Sequence, residues 1–217
     1  MEYKTIGIGG QLMAGKDETA NYLATRLNEL CTEPWKRNAF ANKVKETFEQ
    51  AFGKDREFVE KWKRVEVAPP EFKKNIRQCL IGIGDGFRQM KPNIWIERAF
   101  ENQNAHQIIS DARYNNECNT IREKGGLTIL LWRDGYMNNL DNPSEQEFMP
   151  HIMKCLNSQS WTAGKTHWTP FEGEVGPGME IPFDIFLRNE GSIDDLKTKV
   201  DNIVIPLLRQ RWGSMFK

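Results

Sequence analysis

Gly10-Gln11-Leu12-Met13-Ala14-Gly15-Lys16-Asp17 decides how this chain is read. It follows a short apolar run, Thr5-Ile6-Gly7-Ile8, and fits the phosphate-binding pattern Gly-x-x-x-x-Gly-Lys at every position but the last. Glycines allow the tight turn that lets consecutive backbone N–H groups surround a phosphate chain. The lysine adds a mobile positive charge, and a following helix offers its positive N-terminal end. Asp17 stands where the pattern expects a Ser or Thr hydroxyl for magnesium, which makes it the most discriminating residue of the stretch.

The surroundings suit the motif. Residues 3–9 are expected to form a buried strand. Ala20, Leu23, Leu27, Leu30 and Cys31 recur at helical spacing, so a helix is expected from Lys16 to Cys31, with Asp17 and Glu18 in its first turn. Strand, glycine turn and helix is the context that a phosphate loop requires.

The 217 residues suffice for one well-buried core with an inserted subdomain. Thirty basic and thirty acidic residues cancel, so no overall field favours nucleic acid or an anionic membrane. Four cysteines, at 31, 79, 118 and 155, lack metal-binding spacing, and the three histidines are unpaired; reduced thiols and no zinc are expected. No signal peptide is expected, and no apolar stretch approaches the roughly 20 residues that span a bilayer. Together these features point to a cytoplasmic protein.

Beyond the loop, Trp35 to Phe40 is expected to be a second strand. Val44, Phe48, Ala51 and Phe52 mark a helix face closed by Gly53, and 54–74 is dense in charge, a solvated helix and turn. A helix is expected from Glu71, with Phe72, Ile76, Cys79, Leu80 and Ile83 on one face and Arg77 on the other. Gly82-Ile83-Gly84-Asp85-Gly86 lacks a preceding strand and is expected to be a helix-to-loop turn that carries Arg88 towards a ligand. Pro92 to Phe100 is expected to resume helix, with Trp95 and Ile96 as packing residues.

Gln107 to Arg113 reads as a buried parallel strand whose carboxyl end carries Ser110-Asp111. Ligands collect at that end of open α/β sheets, and with a phosphate loop on a neighbouring strand this favours a metal or substrate role for Asp111 over the helix N-cap that Asp also makes. Asn115 to Lys124 is a short helix stopped at Gly125-Gly126, and Leu127 to Trp132 is another strand, ending in Arg133. From Tyr136 to Ile181 the pattern dissolves into an irregular insertion with one helix at Met149 to Leu156; Trp161, His167 and Trp168 fall within it without periodicity. Phe183 to Leu187 is a last strand. Asn189-Glu190-Gly191 turns it, and Ser192 with Asp195 opens a helix that Pro206 kinks or ends, leaving Arg209-Gln210-Arg211 as a solvated tail.

Several of these segments resemble the deoxynucleoside monophosphate kinase family of bacteriophages. They are Ala14-Gly15-Lys16-Asp17-Glu18-Thr19-Ala20, Phe40-Ala41-Asn42-Lys43-Val44-Lys45, the arginine-bearing segment Arg77 to Trp95, Ile109 to Glu117, and Phe183 through Ser192 to Leu196. Lys43 departs from a proline in the second, and the insertion matches poorly apart from Ser144-Glu145. The resemblance implies an α/β P-loop kinase fold in three layers, with a mostly parallel central sheet flanked by helices. Its core would take about 1–53, 104–135 and 182–206, its helical acceptor-binding region about 54–103, and its lid-like insertion about 136–181.

The implied activity is phosphoryl transfer from ATP to a deoxynucleoside monophosphate, with Mg2+, in the host cytoplasm if the chain is phage-encoded. Gly10, Met13, Ala14, Gly15, Lys16, Asp17 and Glu18 would hold ATP, and Asp17 and Asp111 the metal. Lys45, Arg77, Arg88, Trp95, Asp111, Arg113 and Glu117 would meet the acceptor, with Lys16, Asp111, Arg113 and Arg133 at the transferring group. No nucleic-acid or membrane partner is implied, and subunit number stays open, a homodimer being among the options. Two other readings fit the loop: a P-loop kinase of another phosphorylated metabolite, such as phosphomevalonate, and a nucleotide-binding module without turnover.

Overall fold

The computed structural model describes residues 3–101, 103–135, 146–160 and 169–217. Trp161, His167, Trp168, Ser144 and Glu145 lie outside the described residues. The chain forms two compact units, Met1–Asn38 with Asn104–Lys217, and Ala39–Gln103.

The first unit is α/β, with a mostly parallel six-stranded sheet. Its strands are β1 (Thr5–Gly10), β2 (Trp35–Asn38), β3 (His106–Ala112), β4 (Leu127–Trp132), β7 (Gly173–Glu174) and β8 (Ile185–Arg188), in the order β2-β3-β1-β4-β8-β7. All neighbours run parallel except β7 against β8. β5 (Gln159–Ser160) and β6 (Thr169–Pro170) pair separately and antiparallel. The 136–181 region was expected to be irregular apart from one helix; that helix is α7 (Met149–Asn157), and β7 is the departure, because it finishes the main sheet.

Strand alternation sorts side chains onto two faces. Ile6 and Ile8, Ile129 and Leu131, and Ile185 and Leu187 share one buried cluster with Ala20, Leu23 and Leu27 of α1 (Lys16–Leu30). On the other face, Gly7 leaves room for Ile121 of α6 (Asn115–Glu123), and Gly9 for Phe148 and Phe183. A Cβ at Gly9 would come within 2.7 Å of Phe148. Helices on both faces of the sheet give the three layers that were expected.

The last helical stretch departs from expectation. α8 (Ile193–Lys199) runs into a π-helical turn at Val200–Val204 and on into α9 (Ile205–Trp212), so Pro206 neither ends the helix nor leaves a tail. The π turn explains why. The Ile205 N–H bonds to the Val200 carbonyl, five residues back, so the regular ladder is already interrupted where Pro206 lacks its donor. Asp201 in that turn is gripped from α1 by Tyr22 Oη (2.5 Å) and Arg26 Nε (2.9 Å). The expected tail is helical: Arg209, Gln210 and Arg211 are exposed as expected, but they continue the helix, and Arg211 reaches Asp184 at 3.2 Å.

The second unit is helical: α2 (Phe40–Phe52), α3 (Arg56–Trp62), α4 (Ile76–Met90) and α5 (Ile94–Phe100). Phe48, Val59 and Ile76 form its core, with Phe72 stacked on Phe48 at 5.6 Å. α4 begins at Ile76 rather than Glu71. Asn75 and Gln78 build a capping box there, Asn75 Oδ1 accepting from the Gln78 N–H (2.9 Å) and Gln78 Oε1 from the Asn75 N–H (3.3 Å). The run Gly82 to Gly86 lies inside α4, not in a turn. Its middle glycine is buried, and the Gly84 carbonyl accepts the Trp95 indole N–H at 2.9 Å.

Replacing Ile129, fully buried in β4, by Ala is expected to cost about 2–5 kcal/mol in urea unfolding. Ile193→Ala, at an exposed site, should change stability by less than about 0.5 kcal/mol. Equal losses would show that the sheet core is not where this fold stores its stability.

Candidate phosphate-binding site

The turn from β1 into α1 is held from several sides. At Gly10 (φ 140°) a Cβ would lie 2.3 Å from the Leu131 carbonyl oxygen, so the strand end can sit against β4 only as glycine. Gln11 is buried, and its Nε2 donates to the Arg133 carbonyl at 2.7 Å. Met13 takes a positive φ of 61° at the exposed tip, while Ala14 is buried and its carbonyl accepts from Asn189 Nδ2 at 3.0 Å. Gly15 (φ 97°) is the N-cap of α1, in the left-handed region that favours glycine, and a Cβ there would meet Asn189 Nδ2 at 2.7 Å. Lys16 bends back over the loop, its Nζ donating to the carbonyls of Gly10 (2.8 Å) and Gln11 (2.7 Å). The loop is thus a preformed bend at the positive end of a 15-residue helix.

Asp17 faces solvent, its side chain 80% exposed, yet it belongs to a network. Arg37 Nη2, near the end of β2, donates to Asp17 Oδ1 at 2.5 Å, and Ser110 Oγ, near the end of β3, donates to the same oxygen at 3.1 Å. Arg37 also reaches Ser110 Oγ (3.1 Å) and Asn21 Oδ1 (2.6 Å). Glu18 points elsewhere, 3.9 Å from Lys197 Nζ.

Asp111 is the penultimate residue of β3, with Arg113 just beyond it; Arg133 directly follows β4, and all three are half-buried. Asp111 is not the cap of α6. That part falls to Glu117, a buried carboxylate whose Oε2 accepts from the N–H groups of Arg113 (2.7 Å) and Tyr114 (3.2 Å). Glu117, expected at the substrate, is therefore engaged in shaping the turn after β3.

Lys45, Arg77, Arg88 and Trp95 belong to the second unit. Trp95 is 2% exposed and its indole N–H is bonded to Gly84, so its place is in the packing and not against a ligand. Lys45 pairs with Glu60 at 2.7 Å. Arg88 lies 3.3 Å from Asp85, whereas Arg77 is exposed on the first turn of α4. Eleven residues separate the two arginines (88 − 77), about 16 Å of helix. Three turns bring the two arginines back to nearly the same face of α4, Arg77 at its first turn and Arg88 at its last.

Linear reading missed Gln11, Arg37, Ser110 and Asn189. Ser110 was visible beside Asp111 and Arg37 inside an expected strand, but nothing in their spacing marks them as partners of Asp17. Among the described residues, no group of three His, Cys, Asp or Glu side chains could hold a metal ion. All four cysteines are unbridged, and burial pushes the Cys155 thiol up to about 12 and Cys118 well above its ordinary value. No described helix is long and apolar enough to cross a membrane.

No family model matches the chain, and no curated protein matches it. Among solved structures, an unliganded sugar kinase from Janibacter sp. HTCC2649 aligns at 8% identity over 94% of this chain and 95% of its own, with a TM-score of 0.35. The functional reading rests on the site itself.

Burial works to raise Glu60, but hydrogen bonds from Lys45 and Lys63 outweigh it and bring the carboxyl down from 4.5 to about 2. A depressed carboxyl stabilises the fold above its unfolded value, and that contribution fades as pH falls through its folded value. Thermal midpoints should therefore drop between pH 4.5 and about 2, less steeply in Lys45→Met. Identical slopes would mean that Lys45 does not set the titration of Glu60.

Proposed function

We propose that this chain is a kinase that transfers the γ-phosphoryl group of ATP to a deoxynucleoside monophosphate. One observation carries the reading. Four neighbouring parallel strands each bring a cation to the same, carboxyl, edge of the sheet: Arg37 from β2, Arg113 from β3, Lys16 after β1 and Arg133 from β4. The chain as a whole has no net charge, so this concentration of cations is local. It suits a ligand with several phosphates, and the glycine-bounded loop supplies the backbone geometry for one of them.

In this reading the loop backbone and Lys16 hold the β- and γ-phosphates of the donor. An oxygen of the acceptor phosphate attacks the γ-phosphorus as the bond to the β–γ bridging oxygen breaks, and ADP leaves. The acceptor is already anionic, so no side chain need remove a proton; orientation and charge neutralisation are the main requirements. Arg113 and Arg133 steady the transferring group, and Arg77 and Arg88 of the helical unit are the candidates for the acceptor phosphate. Asp17 would hold magnesium, which supplies further charge neutralisation when bound.

A coupled assay of ADP release across deoxy- and ribonucleoside monophosphates and phosphorylated metabolites tests the reading. Turnover is expected with deoxynucleoside monophosphates. Activity confined to another metabolite would transfer the site to that substrate, and ATP binding without ADP release from any acceptor would make the chain a binding module. Lys16→Ala should lower turnover at saturating ATP by about 10²–10³-fold, the scale for losing one charge-stabilising donor. Arg77→Ala and Arg88→Ala should each raise the KM for the monophosphate far more than that for ATP. Equal effects of Arg88→Ala on the two substrates would remove it from the acceptor site.

A further inference from the structure

We propose that Asp17 Oδ1 and Ser110 Oγ together form the divalent-cation site beside the phosphate loop, and that Arg37 is a built-in cation competing for it. The proposal rests on the phosphate-loop reading above and assigns Ser110, not Asp111, as the second protein ligand.

The geometry is a triangle. The two oxygens are 3.1 Å apart, and one nitrogen, Arg37 Nη2, lies 2.5 Å from the carboxylate oxygen and 3.1 Å from the hydroxyl. Magnesium binds oxygen at about 2.1 Å in near-octahedral geometry, which puts adjacent ligands about 3.0 Å apart. The oxygen pair thus has the spacing of neighbouring ligands on one such ion. Magnesium commonly keeps several waters and takes only one or two protein ligands plus substrate phosphates, so a carboxylate and a hydroxyl suffice.

The chemistry also accounts for the departure in the motif. The hydroxyl that the loop lacks at position 17 is restored in space from another strand. Ser110 is 6% exposed and sits on β3, a strand paired on both sides. Ser110 lies where the register of β3 against β1 shifts, and its hydroxyl is turned to Asp17 and Arg37. Asp17 is open to a hydrated ion, and it occupies the first turn of α1 directly after Lys16. Arg37 keeps a second hold on α1 at Asn21 Oδ1, so its guanidinium can give up Asp17 and remain anchored.

The probe is Mn2+, titrated by electron paramagnetic resonance with the β,γ-imido analogue of ATP, alongside analogue binding in EDTA. Asp17→Asn, which weakens a direct ligand, should lower Mn2+ affinity by at least about 10–100-fold, the scale that loss of an outer-shell partner costs. Ser110→Ala should weaken it about fivefold, the worth of one ordinary polar contact, with Ser110→Thr restoring it. Arg37→Met, which keeps the stem and removes the competing charge, should tighten Mn2+ binding by about 2–5-fold, the scale of an exposed ion pair. Analogue binding in EDTA should stay within about twofold of wild type for Ser110→Ala, and for Arg37→Met the same assay reads any loss of phosphate binding separately from the change in Mn2+ affinity.

Unchanged Mn2+ affinity in both of those variants, with the analogue still bound, would overturn the site and leave the phosphate-loop reading intact. Weakening by Arg37→Met would also overturn it, showing that the triangle only ties β2 to α1. No analogue binding by the wild type, with or without Mn2+, would overturn the phosphate-loop reading and this proposal with it.

Discussion

The backbone of Gly10 passes so close to the Leu131 carbonyl that no side chain fits between them, and the candidate site depends on that approach. It sets where β1 stops beside β4 and where the chain turns into α1. From there the loop is fastened to what lies beyond two other strands: Gln11 to the backbone of Arg133 after β4, and Ala14 to Asn189 after β8. A loop with these ties needs little rearrangement to receive an anion, so little binding energy is lost in ordering it. The same ties make it a product of the whole sheet: if β4 or β8 shifted in register, one anchor of the loop would be lost.

Lys16 shows the electrostatic side of this arrangement. Its ammonium group is bonded to two carbonyls of the loop it follows, which holds the positive charge against the bend. Asp17, one residue on, is neutralised from outside the loop by Arg37. A cation folded inwards and an anion held outwards leave the N-terminal end of α1 facing neither a bare charge of its own sign nor an unbalanced carboxylate.

Much of this architecture was legible in the chain. β4 announces itself as a continuous apolar run, β1 and β3 as short apolar pairs leading into a glycine loop and into Ser110-Asp111, and α1 because Ala20, Leu23 and Leu27 repeat at the helical period. What escaped was set by contacts between distant residues. Asp17 and Ser110 are 93 positions apart, and Ala14 and Asn189 175, so no window of sequence contains either pair. The glycines of α4 misled for a related reason. Glycine is a poor helix former, but here the capping box starts the helix and the Trp95–Gly84 bond supports its middle. Trp95 was legible as a packing residue from its place on α5, and the resemblance that moved it to the substrate was the less reliable guide.

The π turn at Val200–Val204 has a bearing on which residues face the sheet. Leu196, Val200, Val204, Leu208 and Trp212 are all buried in one cluster, in steps of four. In an unbroken α-helix each such step runs about 40° past a full turn, so the row would spiral off the sheet before its end. One wide turn in the middle takes up most of that lead, keeping both halves of the helix in one buried cluster. Chain length in this segment therefore sets angle: the same number of residues wound as a plain α-helix would turn Leu208 and Trp212 about 100° further round, whereas losing the one extra residue of the wide turn would restore regular winding and leave both buried.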